Sequence, residues 1–219
     1  MLPLYDHRTD GGFPFWVIAI IAINVYVFYL ELTVPNPDAF ITTYSLVPYD
    51  INLMHPASLL TFITSQFLHG GFLHIATNMW FLWIFGDNVE GRLGNVFFPI
   101  LYLASGIIGN LVQYAVAISS TVPTLGASGA IAGILGAYYA LFPNNKVKTM
   151  VFILFFVAPV DIPASFMLFY WFILQLFNSA AAISPVINNT GGISYFAHIG
   201  GFALGWLAGK FFFLRYRTA

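Results

Sequence analysis

The chain has 219 residues, 59% of them hydrophobic and 7% charged, with seven basic and eight acidic side chains and a formal net charge of −1. A soluble domain carries about 25% charged residues, so this chain cannot cover its own surface in water, and it lacks the basic stripe of a nucleic-acid binder. The absence of cysteine excludes disulfides and thiolate metal sites, and the class left is a polytopic protein of the lipid bilayer.

The first apolar stretch runs from Pro14 to Leu32. It is too long for a signal-peptide core and lacks a small-residue cleavage site, so it reads as a retained helix. A loop rich in Pro, Asn, Asp and Thr follows to about Thr64. Further spans are expected at about 67–85, 96–118, 127–142, 162–183 and 193–214. The fourth ends at Pro143-Asn144-Asn145. Residues 147–160 are apolar but too few to span, which suits an interfacial or re-entrant segment. The expected fold class is therefore all-α: one domain over 1–219, a bundle of six transmembrane helices.

Charge sets the orientation. With six spans and the N-terminus inside, the inner segments 1–13, 86–95, 143–161 and 215–219 hold Arg8, Arg92, Lys146, Lys148, Arg215 and Arg217. Lys210 reaches the same side from the last turns of the sixth helix. The outer segments hold Asp38 and Asp50, with Glu31 at the edge, and no basic residue. The positive-inside rule then places both termini in the cytoplasm. Were 147–160 to span, the basic C-terminus would move outside.

Polar groups inside spans are costly and are functional candidates by default. They are Asn24, His69, His74, Asn78, Asn110, Gln113, Ser128, Gln175, Asn178 and His198. His74 and Asn78, four apart, share a helix face. His69 lies off that face, near the outer interface, where a solvated role is expected. Asn110, Gln113, Gln175 and Asn178 read as interhelical hydrogen-bond formers. Counted from the inner edge, His74 lies ~20 Å from Asp87, Ser128 ~21 Å from Phe142 and His198 ~18 Å from Lys210. The even-numbered spans run the same way, so these three residues share one level, roughly 10 Å below the outer surface of a core about 30 Å thick. The short fourth helix begins inside the membrane at Ser128, with its free N–H groups facing a depression.

Small residues four apart let helices approach closely. They recur at Gly129 and Gly133, and at Gly201, Gly205 and Gly209. If these faces meet, Ser128 comes within reach of His198. A serine hydroxyl needs such a base to act as nucleophile. The developing oxyanion needs fixed donors, for which the Ser128 N–H, His74 and Asn78 are at hand. No acid lies at this depth, so a Ser–His pair is implied rather than a triad. A lone membrane Ser ordinarily bonds its own backbone, and a lone buried His ordinarily only packs. The spacing of His69 and His74 is poor for joint metal ligation, so no metal and no cofactor are expected.

These residues resemble the rhomboid intramembrane serine proteases in their six-helix prokaryotic form. Gly126-Ala127-Ser128-Gly129 is similar to the family's G-x-S-G, Ala197-His198-Ile199-Gly200-Gly201 with Gly205 to its A-H-x-x-G-x-x-x-G, and His74-Ile75-Ala76-Thr77-Asn78 to its H-x-x-x-N. The turn Gly86 to Gly94 resembles the family's link between helices two and three, where Glu90 and Arg92 would be structural. The resemblance implies Ser128 as nucleophile, His198 as base and then acid, and His74, Asn78 and the Ser128 amide as the oxyanion site. It implies cleavage of single-pass or polytopic membrane-protein substrates near the outer ends of their transmembrane segments, and a prokaryotic plasma (inner) membrane. Two features depart from some members. The first outer loop lacks a Trp-Arg pair, and Ala132 stands where an aromatic ring would pack on the base. The rival readings are a non-catalytic membrane scaffold or chaperone on the same fold, and a small-solute transporter, which the missing intramembrane acid and inverted repeat disfavour.

Overall fold

The computed structural model describes residues 2–7, 12–52, 54–153, 156–183 and 194–217. Arg8 and the loop preceding the last helix, both used in the topology argument, lie outside the described residues, as do the side chains of Arg215 and Arg217.

The chain begins with strand β1 (Leu2–Asp6), followed by α1 (Phe15–Thr33), two short helices α2 (Pro37–Tyr44) and α3 (Pro56–Thr64), and the long helical run α4 (Phe72–Val116). After a loop come α5 (Ser128–Leu141), strands β2 (Lys146–Ile153) and β3 (Phe156–Pro163), and helices α6 (Ala164–Ile183) and α7 (Tyr195–Arg217). Gly94 (φ 77°, ψ 174°) breaks α4 into arms 72–93 and 95–116. A left-handed φ of this kind favours glycine. Phe15–Thr33, Phe72–Val116 and Tyr195–Leu214 are long and apolar enough to cross a membrane, while Ser128–Leu141 and Ala164–Ser179 are shorter apolar helices.

Pairwise contacts give the direction of each helix. Asn110 in the second arm of α4 donates to the Phe62 carbonyl (2.9 Å) and to Ser65 Oγ (2.9 Å), just upstream of the first arm, so the two arms are antiparallel. Glu90, at the far end of the first arm, accepts from the N–H groups of Trp16 and Val17 at 2.9 Å each, while Glu31 at the other end of α1 accepts from the His69 N–H at 3.0 Å. The helix α1 therefore runs against the first arm. The buried Glu90 carboxylate caps the positive end of α1, which has no side-chain cap of its own.

The packing of α5 and α7 explains the glycines. A Cβ at Gly201 would strike the Gly129 carbonyl, one at Gly205 the Gly133 carbonyl, and one at Gly209 the Ala137 carbonyl. Both members of the pair advance together by one turn, so the helices are parallel and their backbones touch. Gly109 approaches Ala197 while Ser105 approaches Gly201, so the second arm of α4 is antiparallel to α7. Gln175 meets His198 and Phe172 stacks on Phe202 at 4.6 Å, so α6 is antiparallel to α7 as well. Helix directions thus alternate along the chain, and the first arm of α4, α5 and α7 all run one way, as the sequence implied. Every residue of α5 from Gly129 to Tyr138 is buried, which makes α5 the centre of the bundle.

The all-α expectation needs correction. Residues 2–6, 146–153 and 156–163 form a three-stranded antiparallel sheet in the order β1-β2-β3, with Lys148 opposite Asp161 and Asp6 opposite Val147. A continuous apolar run does not by itself distinguish a buried helix from a strand. Here β-branched Val147, Val151, Val157 and Val160 favour the extended form. Two strands with open edges do not make a membrane span. The sheet is fastened to the bundle by Asp6, which accepts from Tyr138 Oη (2.6 Å) and Asn88 Nδ2 (2.7 Å), and by Trp80, whose Nε1 donates to the Pro3 carbonyl (2.7 Å).

Candidate active site

The site forms where α5 begins. Gly126 carries φ +125°, and a Cβ there would lie 2.8 Å from the His74 ring and 3.7 Å from Ser128 Oγ. Only glycine lets the chain turn into α5 flush against His74. Its N–H is fixed by the Ser65 carbonyl at 2.9 Å. Ser128 is the first residue of α5, and no side chain caps this helix start. The first-turn N–H groups are thus available to an incoming oxygen.

Across the glycine contact, His198 Nε2 lies 2.7 Å from Ser128 Oγ. His198 is buried and Ser128 half-buried. The other ring nitrogen, Nδ1, lies 2.8 Å from Gln175 Oε1 on α6. An amide oxygen can only accept, so Nδ1 carries the proton and Nε2 accepts from the serine hydroxyl. His74 has the opposite arrangement. The Gly70 N–H donates to its Nδ1 at 3.3 Å, so its Nε2 carries the proton, beside Gly126. Asn78 is buried one turn along the same helix, and its Nδ2 has no hydrogen-bond partner. One imidazole is thus set to accept a proton and one to donate a hydrogen bond, with a spare amide donor near the latter.

Two aromatic rings flank His198. Trp171 on α6 lies 5.9 Å from the His198 ring at 34°, and Tyr195 lies 6.3 Å away at 88°. The ring missing at Ala132 is replaced from a different helix and from one turn upstream of His198 itself.

Several expectations change here. His69 is almost fully buried rather than solvated, with its ring 5.2 Å from that of His74. The cause is that α4 begins only at Phe72, so His69 lies on the link that follows a mostly buried 3₁₀ turn at Ser65–Phe67 rather than on the helix. Asn110 bridges segments as expected, but Asn178 is exposed, and Gln113 Oε1 is buried without a partner. Gln175 does link two helices, and its partner is His198. Sequence reasoning found this amide inside an apolar span and missed whom it faces, because helix rotation is fixed only by packing. Among the described residues no group of three metal-ligating side chains converges.

Comparison with known proteins adds an independent line. A Rhomboid domain profile matches residues 56–215. The chain belongs to the rhomboid family. It is 34% identical over 197 residues to Rhomboid protein 1, mitochondrial, of Saccharomyces cerevisiae, covering 88% of this chain and 52% of that one. It is 34% identical over 144 residues to the human Presenilin-associated rhomboid-like protein, mitochondrial, covering 65% and 36%. It is 32% identical over 159 residues to RHOMBOID-like protein 4 of Arabidopsis thaliana, covering 70% and 34%. The chain thus spans about half the length of the yeast relative and about a third of the other two. Rhomboids are membrane proteins and in the main intramembrane serine proteases. Two of these relatives are mitochondrial by name, so they lend no support to a prokaryotic plasma membrane or to the prokaryotic subtype.

Proposed function

We propose that this rhomboid is an intramembrane serine endopeptidase that hydrolyses peptide bonds in or near the transmembrane segments of other membrane proteins. The observation that carries the reading is the 2.7 Å contact between Ser128 Oγ and His198 Nε2 at an uncapped helix start. The helix itself is too short, at ~21 Å, to fill a core about 30 Å thick, so its start lies within the bilayer. The chain crosses six times, counting the arms of α4 separately, with both termini on the side marked by the basic residues.

His198 Nε2 takes the hydroxyl proton as Ser128 Oγ attacks the scissile carbonyl carbon. The carbonyl oxygen becomes an oxyanion and receives hydrogen bonds from the Ser128 N–H, His74 Nε2 and Asn78 Nδ2. The C–N bond breaks, and His198 returns the proton to the leaving amine. Water then enters from the outer side, loses a proton to His198 and attacks the ester carbon; the C–O bond to Ser128 breaks, His198 returns the proton to Ser128 Oγ, and the acid is freed.

The test is cleavage of a model transmembrane substrate by detergent-purified protein, with Ser128→Ala and His198→Ala in parallel. Both variants should lose cleavage, and a fluorophosphonate should label the wild type at Ser128 alone. Cleavage that persists in Ser128→Ala overturns the reading. A wild type that neither cleaves nor labels points to the scaffold or chaperone alternative.

A further inference from the structure

The base has two nitrogens, and only one can serve Ser128. A neutral imidazole whose proton sat on Nε2 would present a donor to the hydroxyl and could not take its proton. Something must hold the proton on Nδ1. In serine proteases of the triad type a carboxylate does so. Among the described residues no acid occupies that place. Instead Gln175 Oε1 lies 2.8 Å from His198 Nδ1, and Gln175 is itself buried. The amide is oriented, because its Nε2 donates to the Trp171 carbonyl one turn back (3.4 Å), which leaves Oε1 to face the ring. The same Trp171 lays its indole beside the imidazole. Thus one turn of α6 holds both the face and the edge of the base, while α5 holds the nucleophile.

We propose that Gln175 is a positioning residue that fixes the proton of His198 on Nδ1 and so keeps Nε2 free to accept from Ser128. The role rests on the serine-protease reading for its effect on rate, but not for its effect on the ring. Gln175 does not touch the substrate. Removing the acceptor should therefore lower kcat and leave KM alone, whereas a merely structural contact would lower the amount of folded protein instead.

Two measurements on the full-length protein in detergent separate these possibilities. The first is nitrogen NMR of histidine-labelled protein, with His198 assigned through His198→Gln. Wild type should show the tautomer protonated at Nδ1. Gln175→Met, close in volume but without an acceptor, should shift His198 toward a mixture, and Gln175→Glu, which restores an acceptor, should return it to the wild-type pattern. The second is the rate of cleavage and of fluorophosphonate labelling. Gln175→Met should lose about tenfold to a hundredfold in kcat, as expected for a lost buried hydrogen bond, with KM within about twofold, and Gln175→Glu should recover most of it. An unchanged tautomer in Gln175→Met, or full loss in Gln175→Glu with the fold intact, overturns the proposal. A tautomer that shifts as stated in a protein that never cleaves overturns the protease reading and leaves the positioning role standing.

Discussion

At Ser128 the proposed chemistry depends on hydrogen-bond polarity as much as on distance. His198 and His74 carry their protons on opposite nitrogens because the Gln175 carbonyl oxygen accepts from one ring and the Gly70 N–H donates to the other. The second assignment has a measurable consequence. On the proposed mechanism, His74→Ala removes an oxyanion donor and should lower kcat about a hundredfold, with little change in KM, and Asn78→Ala should act in the same direction. Initial rates on a transmembrane substrate check both. Fluorophosphonate labelling should fall as well, since its phosphorus-bound oxygen occupies the same place. The types and order of these residues were legible in the sequence: the serine, the two histidines and the asparagine all stand out in spans that are otherwise apolar. Their partners were not. Gln175 and Asn178 are three residues apart in one helix and look alike in the sequence, yet one is buried against the base and the other is exposed. Which way α6 is turned follows from the stacking of Phe172 on Phe202, not from local periodicity, because α6 is apolar nearly all round.

Among the elements, the α5–α7 pair sets the distance between Ser128 and His198. The carbonyls of Gly129 and Gly133 occupy the space that side chains at Gly201 and Gly205 would need. The lipid tails offer no hydrophobic drive to press helices together, so this close approach rests on packing and on the small residues. Gly205→Val should force the helices apart. It should cost about 3 kcal/mol, the upper range for overpacking, and pull His198 beyond hydrogen-bond reach of Ser128. Reversible unfolding in mixed micelles reads the first effect, and loss of labelling at Ser128 under folded conditions reads the second. The stripe of glycines was visible in the sequence, and its partner was a reasonable inference from a second stripe. The sheet was not visible in this way. Its apolar strands β2 and β3 give no alternation to read, and β1 pairs with a strand more than a hundred residues away.

The molecule as a whole is polarised. Ser128 and His198 meet at one end of α5, and the sheet with its charged groups lies toward the other, where Asp6 receives the Tyr138 hydroxyl and where Asn145 binds both. At the exposed end of the sheet, Asp161 accepts from His7 and Lys148 at 2.8 and 2.9 Å. These hydrogen bonds hold the Asp161 carboxyl below the usual carboxylate range, His7 being the larger influence, and the bond to Asp161 raises the Lys148 ammonium. A depressed acid contributes stability above its unfolded value and loses it as pH falls. A raised amine contributes below its unfolded value and loses it as pH rises. The pairing of β2 with β3 at this end should thus be tightest between about pH 4 and about pH 10. Being exposed, it should weaken with salt. Amide exchange at residues 146–150, compared between wild type and Asp161→Asn, checks this. The variant should exchange faster within that window and should lose most of the salt dependence.

The sequence by itself determined the solvent of this protein, the approximate bounds of its helices, the direction of the even ones and the residues worth suspecting. Each of these follows from composition, from hydrophobic length or from the alternation of successive spans, and all are local or additive properties. Only the tertiary structure decided that Ser128 Oγ and His198 Nε2 meet at 2.7 Å, that Gln175 stands behind His198, that His69 is buried, and that residues 147–153 and 156–160 lie in paired strands joined to the N-terminal strand. These depend on helix rotation and on pairing between distant strands, which are settled by packing across the whole bundle and leave no periodic trace in the chain.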